Sequence, residues 1–177
     1  MRQLLFLLPL TAFIVLVVYF GQGLKKDPTH IPSALLGKST PEFDLPSIFS
    51  DQKGLNSSNL KGKMSIVNIF ASWCTPCLAE HPFWMEIHKQ KILPIYGIAW
   101  KDKRENAVSW LAKHGNPYSR VGYDPINAVG IEWGVYGAPE TYLVDQNGRI
   151  KFKHAGPMYQ KIWQTRILPL IKEMKAN

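Results

Sequence analysis

Cysteine is nearly absent. The only two in the 177 residues are Cys74 and Cys77. A structural zinc centre needs four ligands, and no second Cys-x-x-Cys is there to complete one. His81 and His88 are the nearest substitutes, but they stand two helical turns apart, which is not a usual ligand pair. No metal site is expected. A purely structural disulfide is a poor fit too, because so short a loop constrains the unfolded chain little. Internal repeats are missing, which argues against a solenoid. Acidic residues are few: 13 Asp and Glu against 21 Lys and Arg, a net charge of +8. The basic residues fall in short clusters with no recognition motif, so a nucleic-acid partner is not expected. One cluster, Arg149 to His154, alternates charged and apolar residues as a half-exposed strand does.

What the chain does have is apolar mass. Hydrophobic residues make up 46 %, enough for a real core. Leu4 to Phe20 carries no charge, and Pro9 and Thr11 interrupt it only mildly. A run of about 17 to 20 apolar residues is long enough to cross a bilayer as a helix. A cleaved secretory signal usually has a shorter apolar region and a small-residue cleavage site, and Gly21-Gln22-Gly23 is a poor substitute for one. A retained anchor is therefore expected over residues 1–22, a tether over 23–40 and one folded domain over 41–177. Charge does not orient the anchor, because basic residues flank both ends.

Within the domain, Glu42 to Leu60 reads as short strands and turns. Ile66 to Phe70 reads as a strand buried on both faces, and Thr75 to Lys89 as a helix with Pro82 inside it. Ile92 to Ala99 reads as the next strand, and Ala107, Val108, Leu111 and Ala112 mark a helix ending near Gly115. Asp124-Pro125 looks like an N-cap and first helical residue. Thr141 to Val144 and Ile150 to Lys153 flank a hairpin signal, and Trp163, Ile167, Leu170, Ile171 and Met174 mark a closing helix. The expected fold is α/β, a central sheet covered by helices.

The cysteines fall where the first such strand turns into its helix. There, unpaired backbone N–H groups and the helix dipole favour a thiolate at Cys74. Thiolate is the nucleophile, so Cys74 can attack a partner disulfide, and Cys77 can then attack the mixed disulfide and release the partner. No cofactor is needed beyond the Cys74–Cys77 pair itself. Trp73 would shield the site on one side.

At this point the residues resemble the thioredoxin superfamily, and within it the membrane-anchored DsbE/CcmG branch of cytochrome c maturation. The resemblance spans about residues 37–174 and rests on Ala71-Ser72-Trp73-Cys74-Thr75-Pro76-Cys77, Glu80-His81-Pro82, Gly115-Asn116-Pro117-Tyr118 and Gly134-Val135-Tyr136-Gly137-Ala138-Pro139-Glu140-Thr141. It implies a thioredoxin-like fold with a mixed sheet and an N-terminal β extension. It implies that Pro139 is the cis-proline facing the cysteines and that the Ala138 backbone offers hydrogen bonds to an extended substrate. Asn68 stands where general thioredoxins carry a buried aspartate, and the branch uses two glutamates instead, matched by Glu80 and Glu140. They are expected to form an acidic rim that relays protons to Cys77. Tyr118, Tyr123, Trp133 and Tyr136 are expected either in the core or along a peptide groove.

The resemblance also implies a function: a reductase of the heme-attachment cysteines of apocytochrome c, acting directly or through a partner thiol protein. A membrane thiol transporter would supply electrons. The chain would sit in a bacterial inner membrane by one span over residues 4–20, with its domain in the periplasm. The residues leave two other readings open: a reductase or oxidase for another extracytoplasmic process, and a polypeptide-binding assembly module with dispensable cysteines.

Overall fold

The computed structural model describes residues 2–23 and 35–176. The chain divides into two units, at residues 31 and 32. The first holds one helix, α1 (Arg2–Gly23), of 22 residues with Pro9 inside it. Its large apolar side chains are exposed from Leu8 to Phe20. Among the described residues no helix is long and apolar enough to cross a membrane, so the expected anchor is not shown by the structure. The expected tether over 23–40 lies largely on residues 24–34, outside the described residues.

The second unit is built on a five-stranded sheet. In chain order its elements are β1 (Asp44–Leu45), β2 (Leu55–Asn56), a 3-10 turn Ser57–Leu60, β3 (Ser65–Phe70), α2 (Thr75–Gln90), β4 (Ile95–Trp100), α3 (Arg104–His114), β5 (Arg120–Asp124), α4 (Ala128–Glu132), β6 (Glu140–Val144), β7 (Ile150–Ala155), α5 (Gln160–Ile162), a π turn Trp163–Ile167 and α6 (Leu168–Ala176). The strand order is β5-β4-β3-β6-β7. The β3–β4 and β4–β5 pairs are parallel, while β3–β6 and β6–β7 are antiparallel. The mixed thioredoxin-like sheet expected from the sequence is therefore present, with the short β1–β2 pair as its N-terminal extension.

Right-handed crossovers fix which helix covers which face. The steps β3 to β4 and β4 to β5 move the same way across the sheet, so α2 and α3 lie on one face. There Trp84, Ile87, Trp110 and Leu111 pack with Ile66, Phe70, Leu143 and, from the closing helix, Trp163, Ile167 and Ile171. On the other face Val67, Ile69, Tyr142 and Val144 pack against Leu45, Leu55 and Leu60 of the extension, Val129 of α4 and Trp133 just after it. Side chains alternate between these two cores along β3 and β6, as a strand buried on both faces requires.

One expectation needs correction, and one strand carries no signal in the sequence. The strand β5 was not expected at all: Arg-Val-Gly-Tyr-Asp lacks a clean apolar alternation. Its Gly122 is required by close approach, because a Cβ there would meet Leu45 Cδ1 at 2.9 Å. Asp124 is the last residue of β5 and not an N-cap beside its helix. Its carboxylate nevertheless accepts from Ala128 N (2.7 Å) and Gly130 N (2.9 Å), so it satisfies the start of α4 from a distance. Ahead of residue 41, Gly37 N donates to Ile150 O (2.7 Å) and Thr40 N to Gly148 O (2.8 Å), both on the β6–β7 hairpin.

Candidate active site

The strand β3 carries the chain to Phe70, and Ala71 to Trp73 turn it into α2. Cys74 is the N-cap of α2, and its Sγ accepts a hydrogen bond from Cys77 N at 3.1 Å. Pro76 fits the first turn, where no N–H partner is lost. The two cysteines are joined as a disulfide and are buried, 3 % and 1 % exposed. The same N–H that now meets Cys74 Sγ would stabilise its thiolate after reduction.

The turn before Cys74 is clamped by a residue the sequence did not single out. Asp102, after β4, accepts from Ser72 N (2.5 Å), Ser72 Oγ (2.8 Å) and Lys103 N (2.8 Å). Trp73, next to Cys74, is open to solvent. It is 57 % exposed, its Nε1 donates to Lys101 O at 2.9 Å, and its ring rests beside Trp100.

Beneath the helix start lies a buried polar cluster centred on Asn68. Asn68 Nδ2 donates to Glu80 Oε1 at 2.8 Å, and Asn68 Oδ1 accepts from Tyr118 Oη at 2.7 Å. Thr141 Oγ1 lies 3.3 Å from the same Nδ2. The other oxygen of Glu80 accepts from Met158 N at 2.6 Å, which ties the loop after β7 to α2. Gly97, opposite Asn68 in β4, makes room for this: a Cβ there would meet the Tyr118 ring at 2.9 Å. Burial dominates the carboxyl of Glu80 and pushes its pKa up to about 7, against the pull of the Met158 and Asn68 donors. The Trp84 indole N–H pulls the same way, between Met158 and Asn68 in strength, although it makes no hydrogen bond of good geometry. Burial also raises the Tyr118 phenol well above its ordinary value, so it remains a donor to Asn68.

Pro139 follows a cis Ala138–Pro139 bond, at the end of the sheet where β3 leaves for Cys74. Its carbonyl accepts from Gly156 N at 2.9 Å. Ala138 is half-buried, and Tyr136 is 67 % exposed. Of the other aromatics, Tyr118 and Trp133 are core residues and Tyr123 is half-buried beneath Arg104. Only Tyr136 of that set offers an open ring.

Glu140 is not part of one acidic rim with Glu80. Both carboxylates are buried, at 1 % exposure each, and they lie on opposite faces of the sheet. In the β3–β6 register Thr141 is opposite Asn68, on the α2 face, whereas Glu140 is opposite Ile69 and shares a face with Tyr142. Its oxygens are fully engaged there. Oε1 accepts from Tyr136 N (2.8 Å), and Oε2 accepts from Tyr142 Oη (2.7 Å) and pairs with Lys153 Nζ (3.1 Å). Lys153 was expected on a half-exposed strand, yet its side chain is 3 % exposed. No sequence signal marked it, because Lys-x-Lys on a strand reads as a solvated edge. Among the described residues, no three His, Cys, Asp or Glu side chains come together to hold a metal.

A helix-capping cysteine pair, a cis-proline loop beside it and a mixed sheet between two helical layers define a thioredoxin-like thiol:disulfide oxidoreductase. Residues 35–167 match the Redoxin family, and the chain belongs to that family, among its thiol:disulfide interchange proteins of the DsbE type. It is 41 % identical over 174 residues to the thiol:disulfide interchange protein DsbE of Pseudomonas aeruginosa, covering 98 % of this chain and 96 % of that one. It is 37 % identical over 176 residues to DsbE of Escherichia coli K12, covering 96 % of this chain and 95 % of that one. Among solved structures, one described as a DsbE from Chlorobium tepidum superposes with a TM-score of 0.65 at 26 % identity, covering 77 % of this chain and 97 % of that one. A secreted thiol-disulfide isomerase from Corynebacterium glutamicum shares the fold, with a TM-score of 0.64 at 23 % identity over 75 % of this chain and 85 % of that one.

Proposed function

We propose that the chain is a membrane-tethered reductase that faces the periplasm and keeps the heme-attachment cysteines of apocytochrome c reduced, directly or through a partner thiol protein. In the reduced enzyme, the Cys74 thiolate attacks a sulfur of the substrate disulfide. That S–S bond breaks, a mixed disulfide forms on Cys74, and the departing sulfur takes a proton. Cys77, deprotonated, then attacks Cys74 Sγ. The Cys74–Cys77 bond forms, the second substrate sulfur leaves and takes a proton, and two electrons have passed to the substrate. A membrane thiol transporter would restore the dithiol. No cofactor takes part in this scheme.

The direction of electron flow rests on one observation: Glu80 is buried on the same helix as Cys77 and one turn beyond it. A buried carboxylate there opposes a second negative charge on Cys77. An oxidant of this fold works by stabilising its reduced thiolate form, and an acidic neighbour does the opposite. The substrate class rests on the whole-length similarity to DsbE proteins. The anchor is supported by the uncharged run Leu4 to Phe20. A tether would hold the enzyme near its partners and raise their effective concentration.

The test is Cys77→Ser in the native cell, which removes the resolving thiol and leaves a mixed disulfide on Cys74. Recovery of apocytochrome c or a cytochrome-assembly thiol protein on Cys74 supports this reading. Recovery of unrelated secreted proteins only, or of no covalent partner, contradicts it.

A further inference from the structure

The segment Gly134 to Pro139 carries the exposed Tyr136 ring and the cis-proline, yet it has no secondary structure of its own. Backbone bonds hold its two ends, Val135 N to Gly130 O (2.7 Å) and Gly156 N to Pro139 O (2.9 Å), and a lysine on the neighbouring strand braces what lies between. Lys153 Nζ donates to Gly134 O at 2.6 Å and stands 4.6 Å from the centre of the Tyr136 ring. It pairs with Glu140, whose other oxygen accepts from Tyr136 N. One ammonium group thus holds the start of the segment by its carbonyl, the middle by a ring face and the end through Glu140. All of this happens on the sheet face turned away from α2 and the cysteines.

We propose that Lys153 is a positioning residue for substrate capture: with Glu140 it holds the Gly134–Pro139 segment in the shape that receives a polypeptide, without acting on the sulfur chemistry. This rests on reading that segment as the polypeptide-binding loop. A side chain behind the loop and across the sheet from Cys77 has no route to the departing proton. It does set the backbone that an extended peptide would pair with. Glu140 accordingly serves as the loop's anchor and not as a proton relay.

The test uses the full chain in detergent, reduced beforehand with a small dithiol, and follows Cys74–Cys77 disulfide formation in single turnover. The oxidants are two disulfide peptides, one Cys-x-x-Cys-His and one Cys-x-x-Cys without the histidine, and glutathione disulfide, which is too small to need the loop. Lys153→Met is expected to raise the half-saturating concentration of both peptides about tenfold while the maximal rate and the glutathione rate stay within about twofold. Lys153→Arg, which keeps the charge, should recover most of the affinity. Lys153→Met leaves Glu140 buried and unpaired, so Lys153→Met with Glu140→Gln serves as the second variant. It carries no orphaned charge and should keep the raised half-saturation with a near-normal unfolding midpoint. Unchanged peptide half-saturation in the double variant, or an equal fall with glutathione disulfide, overturns the proposal. Equal turnover of the two peptides by the unaltered chain would count against the cytochrome reading alone, since the loop effect is read on either peptide.

Discussion

Asn68 Nδ2 donates to Glu80 Oε1 at 2.8 Å inside the core, joining the strand that leads into Cys74 to the helix that carries Cys77. The bond does two things. It satisfies a carboxylate that burial would otherwise make very costly, and it fixes the phase of α2 against β3. With Tyr118 on the other side of Asn68, the site rests on a buried polar floor instead of a purely apolar one.

The protonation of Glu80 should be visible directly. Its carboxyl is expected to titrate near pH 7 in the oxidised protein, well above the ordinary value of 4.5. Carbon-13 NMR of the side-chain carboxyl checks this, with Glu80→Gln assigning the signal. A midpoint in the ordinary carboxylate range would refute the burial argument.

The same shift has a consequence for stability. The folded protein holds a proton on Glu80 between about pH 4.5 and 7 that the unfolded chain has released. Stability is therefore greatest below that window and falls as pH rises through it, by about 3 kcal/mol if Glu80 acted alone. Urea titrations at several pH values should show this slope in the unaltered protein, and Glu80→Gln should flatten it.

Removing the Tyr118 hydroxyl should weaken the floor without emptying it. Tyr118→Phe leaves Asn68 Oδ1 without its 2.7 Å donor. The expected loss is about 1 to 3 kcal/mol, the cost of an unsatisfied buried acceptor. Gly97→Ala should cost a similar amount, about 1 to 3 kcal/mol, by overpacking. Its Cβ would press on both Tyr118 and Phe70. Denaturant midpoints measure both, and a neutral result for Gly97→Ala would show that the Tyr118 ring is free to shift.

Asp102→Ala should loosen the turn into Cys74. Three donors lose their acceptor, among them Ser72 N. Hydrogen exchange at the Ser72 amide is expected to accelerate markedly while amides in the middle of β3 keep their protection. Unchanged exchange at Ser72 would mean that the turn is held without Asp102, by the Cys74 N to Ala71 O bond and the Trp73 contacts.

Most of this architecture was legible in the sequence. Doubly buried strands such as Ile66 to Phe70 announce themselves by β-branched runs, and the hairpin by its Asp-Gln-Asn-Gly turn. β5 was not, because Arg-Val-Gly-Tyr-Asp lacks a clean apolar alternation and its Gly122 is explained only by the approach of Leu45, a contact between distant parts of the chain. The site divided the same way. Cys74, Cys77 and the cis-proline follow from local pattern and resemblance. The face of Glu140 depends on the β3–β6 register, which nothing local specifies when both sides of a strand are buried, and that of Glu80 on which side of the sheet α2 packs. Lys153 and Asp102 were hidden for a related reason: a charged residue looks solvated until its partners are known.

The central claim is that the Cys74–Cys77 pair is a reductant, and its equilibrium with glutathione tests this most directly. The full chain would be brought to equilibrium with reduced and oxidised glutathione, and the oxidised fraction read by thiol alkylation and mass. The account predicts a potential nearer thioredoxin's, about −270 mV, than the strong oxidant's value of about −120 mV. It also predicts a shift toward the oxidising end in Glu80→Gln. A value near the oxidant's in the unaltered chain would contradict it.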